Sequence, residues 1–297
     1  MIITAIFGGL GNQMFQYACG RALALRTGNE MKLDLRLVKD RTPREGFTYR
    51  DYELNYFNIQ SKIATNSESR RFAPNLWAET PCLYKKMFEI KRKLLNRQLF
   101  EETDSFYNKN IEQITDEAYL YGYFQSEKYF KDYAADIRKE FVLKSSLSVS
   151  GLKIFDKIHK TDCSCSIHVR RGDFLQNEIH NVCTTQYFKD AIQKMISLFD
   201  GKISFFCFSD DIEWIKVNIR PLAENMIIVE HDSSRPNIED MILMSKCSHH
   251  IIPNSSFSWW GAWLNPSEEK KVIAPKRWSA TNVDIQMDIV PEKWITQ

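Results

Sequence analysis

The sequence lacks a long apolar run, an excess of charge of one sign, and a cysteine pattern typical of disulfide or zinc frameworks. Its 297 residues carry 40 basic and 38 acidic side chains, so the net charge of +2 gives no general attraction to nucleic acid. No stretch approaches the roughly 18 apolar residues that cross a bilayer. The seven cysteines are an odd number without Cys-x-x-Cys or zinc-ligand spacing. We therefore expect reduced thiols, no metal site and a cytoplasmic protein.

The alternation of apolar and polar segments predicts an α/β fold with two domains. Residues 2–27 show the pattern of a buried strand, a glycine-rich turn and a helix, and the apolar run ends at Gly8, too early for a signal peptide. After residue 163, short apolar runs alternate with helical patterns, as in a doubly wound parallel sheet. The segment 143–160 is polar and has no clear core pattern until Ile154, so we place the domain boundary between residues 150 and 151.

A basic amphipathic helix is predicted over residues 85–98, a segment with six basic residues and a single acidic residue, Glu89. Such a face is most often a solvated protein surface. The same composition is found in helices that lie on anionic membranes. Both interpretations stay open.

Two adjacent arginines stand in His-Val-Arg-Arg-Gly-Asp at 168–173, directly after a predicted buried strand. Arginine presents a planar fork of donors that fits phosphate oxygens, and the glycine permits close approach of the backbone. Neighbouring strand residues point to opposite faces, so we expect one arginine to reach a ligand. Arg170 shares its face with His168 and is the better candidate, whereas Arg171 holds the loop, with Asp173 as its suggested partner. The alternative is a charged surface turn.

A glycine-rich turn, Gly-Gly-Leu-Gly-Asn-Gln at 8–13, precedes the first predicted helix. Backbone donors at the start of a helix attract anions. With Asp34 about 20 residues further on as a ribose acceptor, the turn partly resembles a dinucleotide fingerprint. Met14 stands where that fingerprint requires its third glycine. A nicotinamide-dependent oxidoreductase is therefore kept as an alternative.

A serine-rich turn at 254–256 connects a predicted strand to a short helix. Its hydroxyls and the free amides of the helix could hold phosphate oxygens, and ordinary helix capping is the alternative. The three tryptophans at 259, 260 and 263 are more typical of core packing than of a sugar platform. Asp240, at the start of the preceding helix, is either a partner of the helix dipole or an acceptor for a base or ribose. A non-catalytic glycan-binding module, based on these tryptophans and residues 119–123, is a further alternative.

Together these motifs resemble the α-1,2-fucosyltransferases of glycosyltransferase family 11, including bacterial galactoside 2-α-L-fucosyltransferases. The resemblance runs in order through residues 7–18, 122–130, 168–173 and 240–264, whereas 40–115 carry little of it. It implies inverting transfer of L-fucose from GDP-β-L-fucose to the 2-hydroxyl of a galactose residue, without a metal or a cofactor. The acceptor would be a galactose-terminated glycan, such as a cell-surface polysaccharide precursor. A lipid-linked precursor would give the basic helix a purpose at the inner membrane face.

The resemblance also implies an α/β architecture of GT-B type, with two Rossmann-like lobes that face each other across a cleft. Residues 1–150 would form the acceptor-side lobe and residues 151–297 the GDP-fucose-binding lobe. Arg170 would bind phosphate, and Ser255, Ser256 and Phe257 would form a second phosphate clamp. His168 and Asp240 would contact guanosine, and Asn12 of the glycine-rich turn would contact the donor. The candidate donor-binding residues are Gly9, Asn12, His168, Arg170, Arg171, Asp240, Ser255, Ser256 and Phe257. The catalytic candidates are Arg170 and, as the base, Asp173 or Glu178, and a reaction without a protein base stays open.

Overall fold

The computed structural model describes residues 1–42, 49–73, 98–104, 106–172, 182–230, 237–280 and 288–297. The chain divides into an N-terminal unit, Met1–Lys144, and a C-terminal unit, Ser145–Gln297. The boundary predicted between residues 150 and 151 lies inside a helix of the C-terminal unit. That helix belongs there because Ser148, its capping residue, donates through its backbone N–H and its hydroxyl to the Glu239 carboxylate, at 2.8 and 2.7 Å.

The N-terminal unit is built on a parallel sheet of five strands in the order β3-β2-β1-β5-β4. Its described strands and helices are β1 (Ile2–Ala5), α1 (Leu10–Thr27), β2 (Met31–Asp34), α2 (Arg36–Lys39), β3 (Lys62–Ile63), α3 (Asn66–Arg70), β4 (Gln98–Glu101), β5 (Ala118–Tyr121) and α4 (Ala134–Glu140).

Helix α1 packs unusually close to strand β1. A Cβ atom added at Gly20 would lie 2.1 Å from the hydroxyl oxygen of Thr4, so the absence of a side chain permits the contact. Met14, where the dinucleotide fingerprint has its third glycine, is fully buried. The helix ends at Gly28, whose φ of +68° is the left-handed conformation that glycine adopts without strain.

The C-terminal unit contains a second parallel sheet, with six strands in the order β11-β10-β9-β6-β7-β8. Its described elements are α5 (Val149–His159), β6 (Ser164–Val169), α6 (Thr185–Leu198), β7 (Ser204–Ser209), α7 (Ile212–Asn218), β8 (Met226–Ile228), α8 (Ile238–Met244), β9 (His249–Ile251), α9 (Ser256–Trp263), β10 (Val272–Ala274) and β11 (Ile295–Thr296). The crossover helices expected from the sequence are present. Thr184 caps α6 by accepting the Tyr187 backbone N–H.

Several segments differ from the sequence-based expectations. The sequence after the aromatic segment predicts a helix from about Glu127 to Glu140. The structure has an α-helix only over α4, because two short 3₁₀ turns meet at Phe130, whose φ of −146° is not helical. The predicted basic helix at 85–98 lies outside the described residues except for Gln98, which begins β4. No helix in the described ranges has the length and apolar character to cross a membrane.

Candidate active site

Three neighbouring strands of the C-terminal unit bring the predicted motifs to one edge of its sheet. Strand β6 lies between β9 and β7, with Ile167 opposite Ile251 and Val169 opposite Ser209. All three strands are parallel, so the segments that follow them leave the sheet at the same edge. Ligands of open α/β sheets bind at this carboxyl edge.

Asp210, directly after β7, holds the arginine motif that follows β6. One oxygen of its carboxylate lies 3.0 Å from a terminal nitrogen of Arg170. The carboxylate also accepts the backbone N–H groups of Arg171 and Gly172, at 2.9 and 3.1 Å. A Cβ at Gly172 would lie 2.9 Å from Asp210, so the glycine makes this approach possible. The Arg170 side chain is thus oriented at the sheet edge while 30% of it stays exposed.

Arg171 turns to a different set of partners. Its Nε lies 3.0 Å from the Asp211 carboxylate, and its guanidinium carbon lies 4.1 Å from the centre of the Trp214 ring. Asp211 also accepts the Trp214 backbone N–H at the start of α7, and this bond, followed by the charge of Arg171, lowers the pKa of Asp211. The sequence suggested Asp173 as the partner of Arg171, but Asp173 lies outside the described residues. The observed contacts fix the loop, as expected for the second arginine.

His168 connects the arginine motif to the serine turn. Its Nδ1 lies 2.5 Å from the hydroxyl oxygen of Ser258, and its ring centre lies 5.6 Å from that of Phe257. Burial and the nearby charge of Arg170 lower the pKa of His168 to about 3. The imidazole is therefore neutral at physiological pH. Ser258 was not predicted from the sequence, because a serine inside a short helix carries no signal of a long-range partner.

The serine turn leads into α9 through Ser255, which is buried. Ser255 is the capping residue and has an extended backbone, but its side chain makes no capping hydrogen bond in the described structure. Ordinary capping therefore does not account for this serine. Asn254 fixes the turn by donating to the Trp278 carbonyl at 3.0 Å. Ser256 and Phe257 are half-buried in the first turn of the helix.

The tryptophans of α9 are buried inside the C-terminal unit. Trp259 and Trp260 are fully buried, and Trp263 is 2% exposed. The indole N–H of Trp259 donates to the Ile289 carbonyl at 2.6 Å. The core-packing interpretation is confirmed, and these rings offer no surface for a sugar.

Asp240 lies in the first turn of α8 and is half-buried. Helix α8 packs on α9 where Gly261 leaves room for the Met244 side chain. The role of Asp240 toward guanosine stays a prediction. Asp173 and Glu178, the candidates for the base, lie outside the described residues.

In the N-terminal unit, the glycine-rich turn is fixed by side chains of α1. Gly8 has a φ of +75°, and the Gln13 side-chain amide donates to its carbonyl at 2.8 Å. The Asn12 side-chain oxygen accepts from Gln125 at 2.8 Å, which joins two of the motifs that carry the family resemblance. Gly9 caps the helix, and a Cβ added there would meet nothing within 4 Å.

The structure does not support the dinucleotide alternative. Asp34, the required ribose acceptor, is 1% exposed. Its carboxylate pairs with Arg36 at 2.7 Å and accepts the Tyr119 hydroxyl at 2.8 Å. These contacts satisfy the carboxylate inside the protein, so it cannot bind a ribose. Within the described ranges, no cluster of three His, Cys, Asp or Glu side chains is arranged to hold a metal ion.

Comparison with known proteins decides the family. The profile described as glycosyl transferase family 11 matches residues 1–297. The chain belongs to glycosyltransferase family 11. It is 32% identical to an alpha-1,2-colitosyltransferase of Escherichia coli, over 99% of this chain and 98% of that protein. It is 24% identical to galactoside alpha-(1,2)-fucosyltransferase 1 of Ateles belzebuth, over 49% of this chain and 42% of that protein.

The fold comparison agrees with the family. The fucosyltransferase NodZ from Bradyrhizobium superposes with a TM-score of 0.52 at 16% identity, over 88% of this chain and 91% of that chain. The family 11 chain is a glycosyltransferase of the GT-B class, in which two α/β units each carry a parallel sheet. The predicted enzyme class and fold class are confirmed. The alternative of a non-catalytic glycan-binding module is not supported, because the family consists of glycosyl transferases.

Proposed function

We propose that the protein is an inverting α-1,2-fucosyltransferase, which moves L-fucose from GDP-β-L-fucose to the 2-hydroxyl of a galactose residue in a glycan. The observation that carries the proposal is the placement of Arg170 at the carboxyl edge of the C-terminal sheet, between the segments that follow β7 and β9. Family membership narrows the reaction to glycosyl transfer. The α-(1,2) linkage in the names of both relatives supports the position of transfer.

Arg170 has the charge and the exposure to stabilise a departing diphosphate. The sugar–oxygen bond breaks as the 2-hydroxyl of galactose attacks the anomeric carbon from the opposite face, and GDP leaves with the bonding electron pair. The guanidinium fork then faces a growing negative charge, so its stabilisation is greatest in the transition state. Ser255, whose hydroxyl is not used for capping, is the second candidate phosphate ligand, with the first amides of α9.

The proton of the attacking hydroxyl needs an acceptor, for which Asp173 and Glu178 are the proposed candidates. A reaction without a protein base is the third possibility, since fucosyl transfer has strong oxocarbenium character. Replacement by Asn and Gln separates these cases. Loss of transfer with intact GDP binding identifies the base, and normal transfer by both variants favours direct loss of the proton to solvent or phosphate.

The similarity to an alpha-1,2-colitosyltransferase supports colitose as a second candidate for the transferred sugar. Colitose is L-fucose without its 3-hydroxyl, so the two GDP-sugars present the same diphosphate and differ at one hydroxyl. A site built to hydrogen-bond that hydroxyl would reject colitose strongly, whereas an apolar site would discriminate weakly.

Nucleotide binding and donor turnover test the proposal together. Titration calorimetry should show binding of GDP and no binding of NAD, and GDP should be released when GDP-fucose and lactose are mixed with the protein. Binding of NAD in preference to GDP would contradict it, and so would a failure to turn over any GDP-sugar in a panel of galactosides. A release of GDP from GDP-colitose alone would keep the reaction class and change the donor.

A further inference from the structure

Three aromatic rings form a small surface on the N-terminal unit, here named the aromatic platform: Phe7, Tyr121 and Tyr123. The Phe7 ring centre lies 5.5 Å from that of Tyr121 and 4.9 Å from that of Tyr123. Tyr123 is 45% exposed, and the other two rings are half-buried against the core. The platform thus presents one open ring supported by two others.

The platform lies at the carboxyl edge of the N-terminal sheet. Phe7 follows β1, Tyr121 is the last residue of β5, and Glu102 follows the adjacent strand β4. This edge also carries the glycine-rich turn after β1. Carboxyl edges of parallel sheets are the usual ligand sites of such folds.

The backbone around Tyr123 is held in an uncommon conformation. Phe124 has a φ of +53°, in the left-handed region that a bulky side chain rarely adopts. Its ring is fully buried and stacks on Phe100, while Glu102 accepts the backbone N–H groups of Tyr123 and Phe124 at 2.7 and 2.9 Å. Gly122 is needed for this arrangement, since a Cβ there would lie 2.4 Å from Glu102.

These contacts have a clear consequence for Tyr123. With Phe124 turned into the core, its neighbour Tyr123 is directed outward on a fixed backbone. Gln125, two residues further, holds Asn12 of the glycine-rich turn. Backbone strain that several interactions maintain is concentrated at functional sites.

We propose that the aromatic platform binds the sugar ring of the acceptor galactoside by stacking on Tyr123. This inference rests on the proposed function, because it takes the acceptor to be a galactoside. One face of a galactose ring consists of C–H groups with partial positive charge, which complement the negative face of an aromatic ring. The phenol hydroxyls of Tyr121 and Tyr123 provide polar contacts for the hydroxyls at the rim of the sugar.

The size of the platform favours a sugar over a protein partner. A stable protein interface covers about 800 Å² on each partner and has a central cluster of buried anchors. One open ring with two half-buried neighbours is much smaller, and it matches a single pyranose. Tyrosine also loses little conformational entropy on binding, so a fixed tyrosine suits recognition of a small polar ligand.

The test compares Tyr123→Ala with Tyr123→Phe and with Tyr56→Ala, a control at a tyrosine of the same unit that is 39% exposed. We expect Tyr123→Ala to raise the KM for lactose about tenfold, as expected for loss of one stacking contact. The KM for the donor and the rate of donor hydrolysis without acceptor should stay unchanged. Tyr123→Phe keeps the ring and should stay close to the parent, as should Tyr56→Ala. An unchanged acceptor KM in Tyr123→Ala, with its thermal unfolding also unchanged, would overturn the proposal.

Saturation-transfer NMR with lactose decides the question even without turnover. If GDP-sugars are neither bound nor turned over, the proposed function fails, but the platform is still tested by this measurement. Transfer of saturation to the galactose C–H protons, and its loss in Tyr123→Ala, would support the platform. No transfer to lactose in the parent protein would refute it. Normal GDP binding and turnover with no effect at Tyr123 would leave the proposed function intact and refute the platform alone.

Discussion

Replacement of the two adjacent arginines, one at a time, should separate catalysis from stability. Both arginines are paired with an aspartate at 3.0 Å, and their side chains are exposed to similar extents, 30% for Arg170 and 23% for Arg171. Arg171 has the additional contact with the Trp214 ring at 4.1 Å. Arg170→Ala and Arg171→Ala are therefore matched in charge, position and exposure, and differ in what the side chain faces.

The structure gives the expected magnitudes. The partly exposed ion pair of Arg170 contributes about 1 kcal/mol to the free energy of unfolding. Asp210 keeps the two backbone N–H donors of the loop when Arg170 is removed. Loss of a charge that stabilises the leaving group should lower kcat by about 100- to 1000-fold. In Arg171→Ala, loss of the ion pair and the cation–π contact should lower the free energy of unfolding by about 1–2 kcal/mol.

The assay combines thermal or urea unfolding with steady-state kinetics on GDP-fucose and a galactoside. Arg170→Ala should unfold almost as the parent does, and should lose transfer and weaken GDP binding. Arg171→Ala should be less stable and keep a larger share of kcat. Near-normal turnover in Arg170→Ala would refute the assignment, and a larger loss of kcat in Arg171→Ala at equal folding would reverse the roles of the two arginines.

Three further outcomes are expected. The pKa of His168 falls from 6.5 in the unfolded chain to about 3 in the folded protein, so the unfolded state binds the proton more readily. The free energy of unfolding should therefore be highest above pH 6.5 and should fall progressively toward pH 3. His168→Asn should reduce the slope of the melting temperature against pH, and an unchanged slope would contradict the role assigned to burial of this imidazole. Gly20→Ala should lower the free energy of unfolding by about 1–3 kcal/mol through the clash with Thr4. Gly9→Ala meets nothing within 4 Å and should lose less, only the cost of alanine in place of glycine at a helix cap, and equal losses in the two variants would count against the close packing of α1. Transfer should be undiminished by EDTA, because Arg170 supplies the positive charge at the diphosphate, and strict dependence on manganese would contradict that role.

The alternation of strands and helices in the C-terminal unit was predictable because each strand is a short apolar run bounded by polar turns. The apolar run 272–274 predicts a strand with the bounds of β10, and the run 163–169 predicts a strand that begins one residue before β6. Strands β3 and β11 were missed, since each has two residues and too little pattern to be distinguished from a loop. In the N-terminal unit, β5 was missed because its aromatic residues were read as a motif without a structural assignment.

The sequence predicts different roles for the two arginines from side-chain alternation along a strand, and the structure pairs each with a different aspartate just beyond the end of β6. The pairing was not predictable, because Asp210 and Asp211 lie some 40 residues away, and only the register of β6 on β7 brings them to the motif. Because these aspartates directly follow a predicted strand, the sequence predicts turn and cap roles for them. Asp211 does cap α7, whereas Asp210 has the further role of orienting Arg170.

The positive φ of Phe124 could not be predicted from the sequence either. A positive φ at a bulky residue is decided by the buried position of its ring and by the Glu102 carboxylate, neither of which is local in the sequence. Tyr119 is completely buried, and this burial could not be predicted from its sequence neighbours either. It belongs to the same aromatic segment as Tyr123, but its hydroxyl is directed to Asp34 in the core.

Linkage analysis of the reaction product tests the central claim most directly. The protein should be incubated with GDP-fucose and a β-galactoside, and the product examined by NMR for the position and anomeric configuration of the new bond. We expect a single product with L-fucose in α linkage to the 2-hydroxyl of galactose, and no product with Arg170→Ala. Transfer to another hydroxyl, a β-linked product, or no sugar transfer from any GDP-sugar would contradict it.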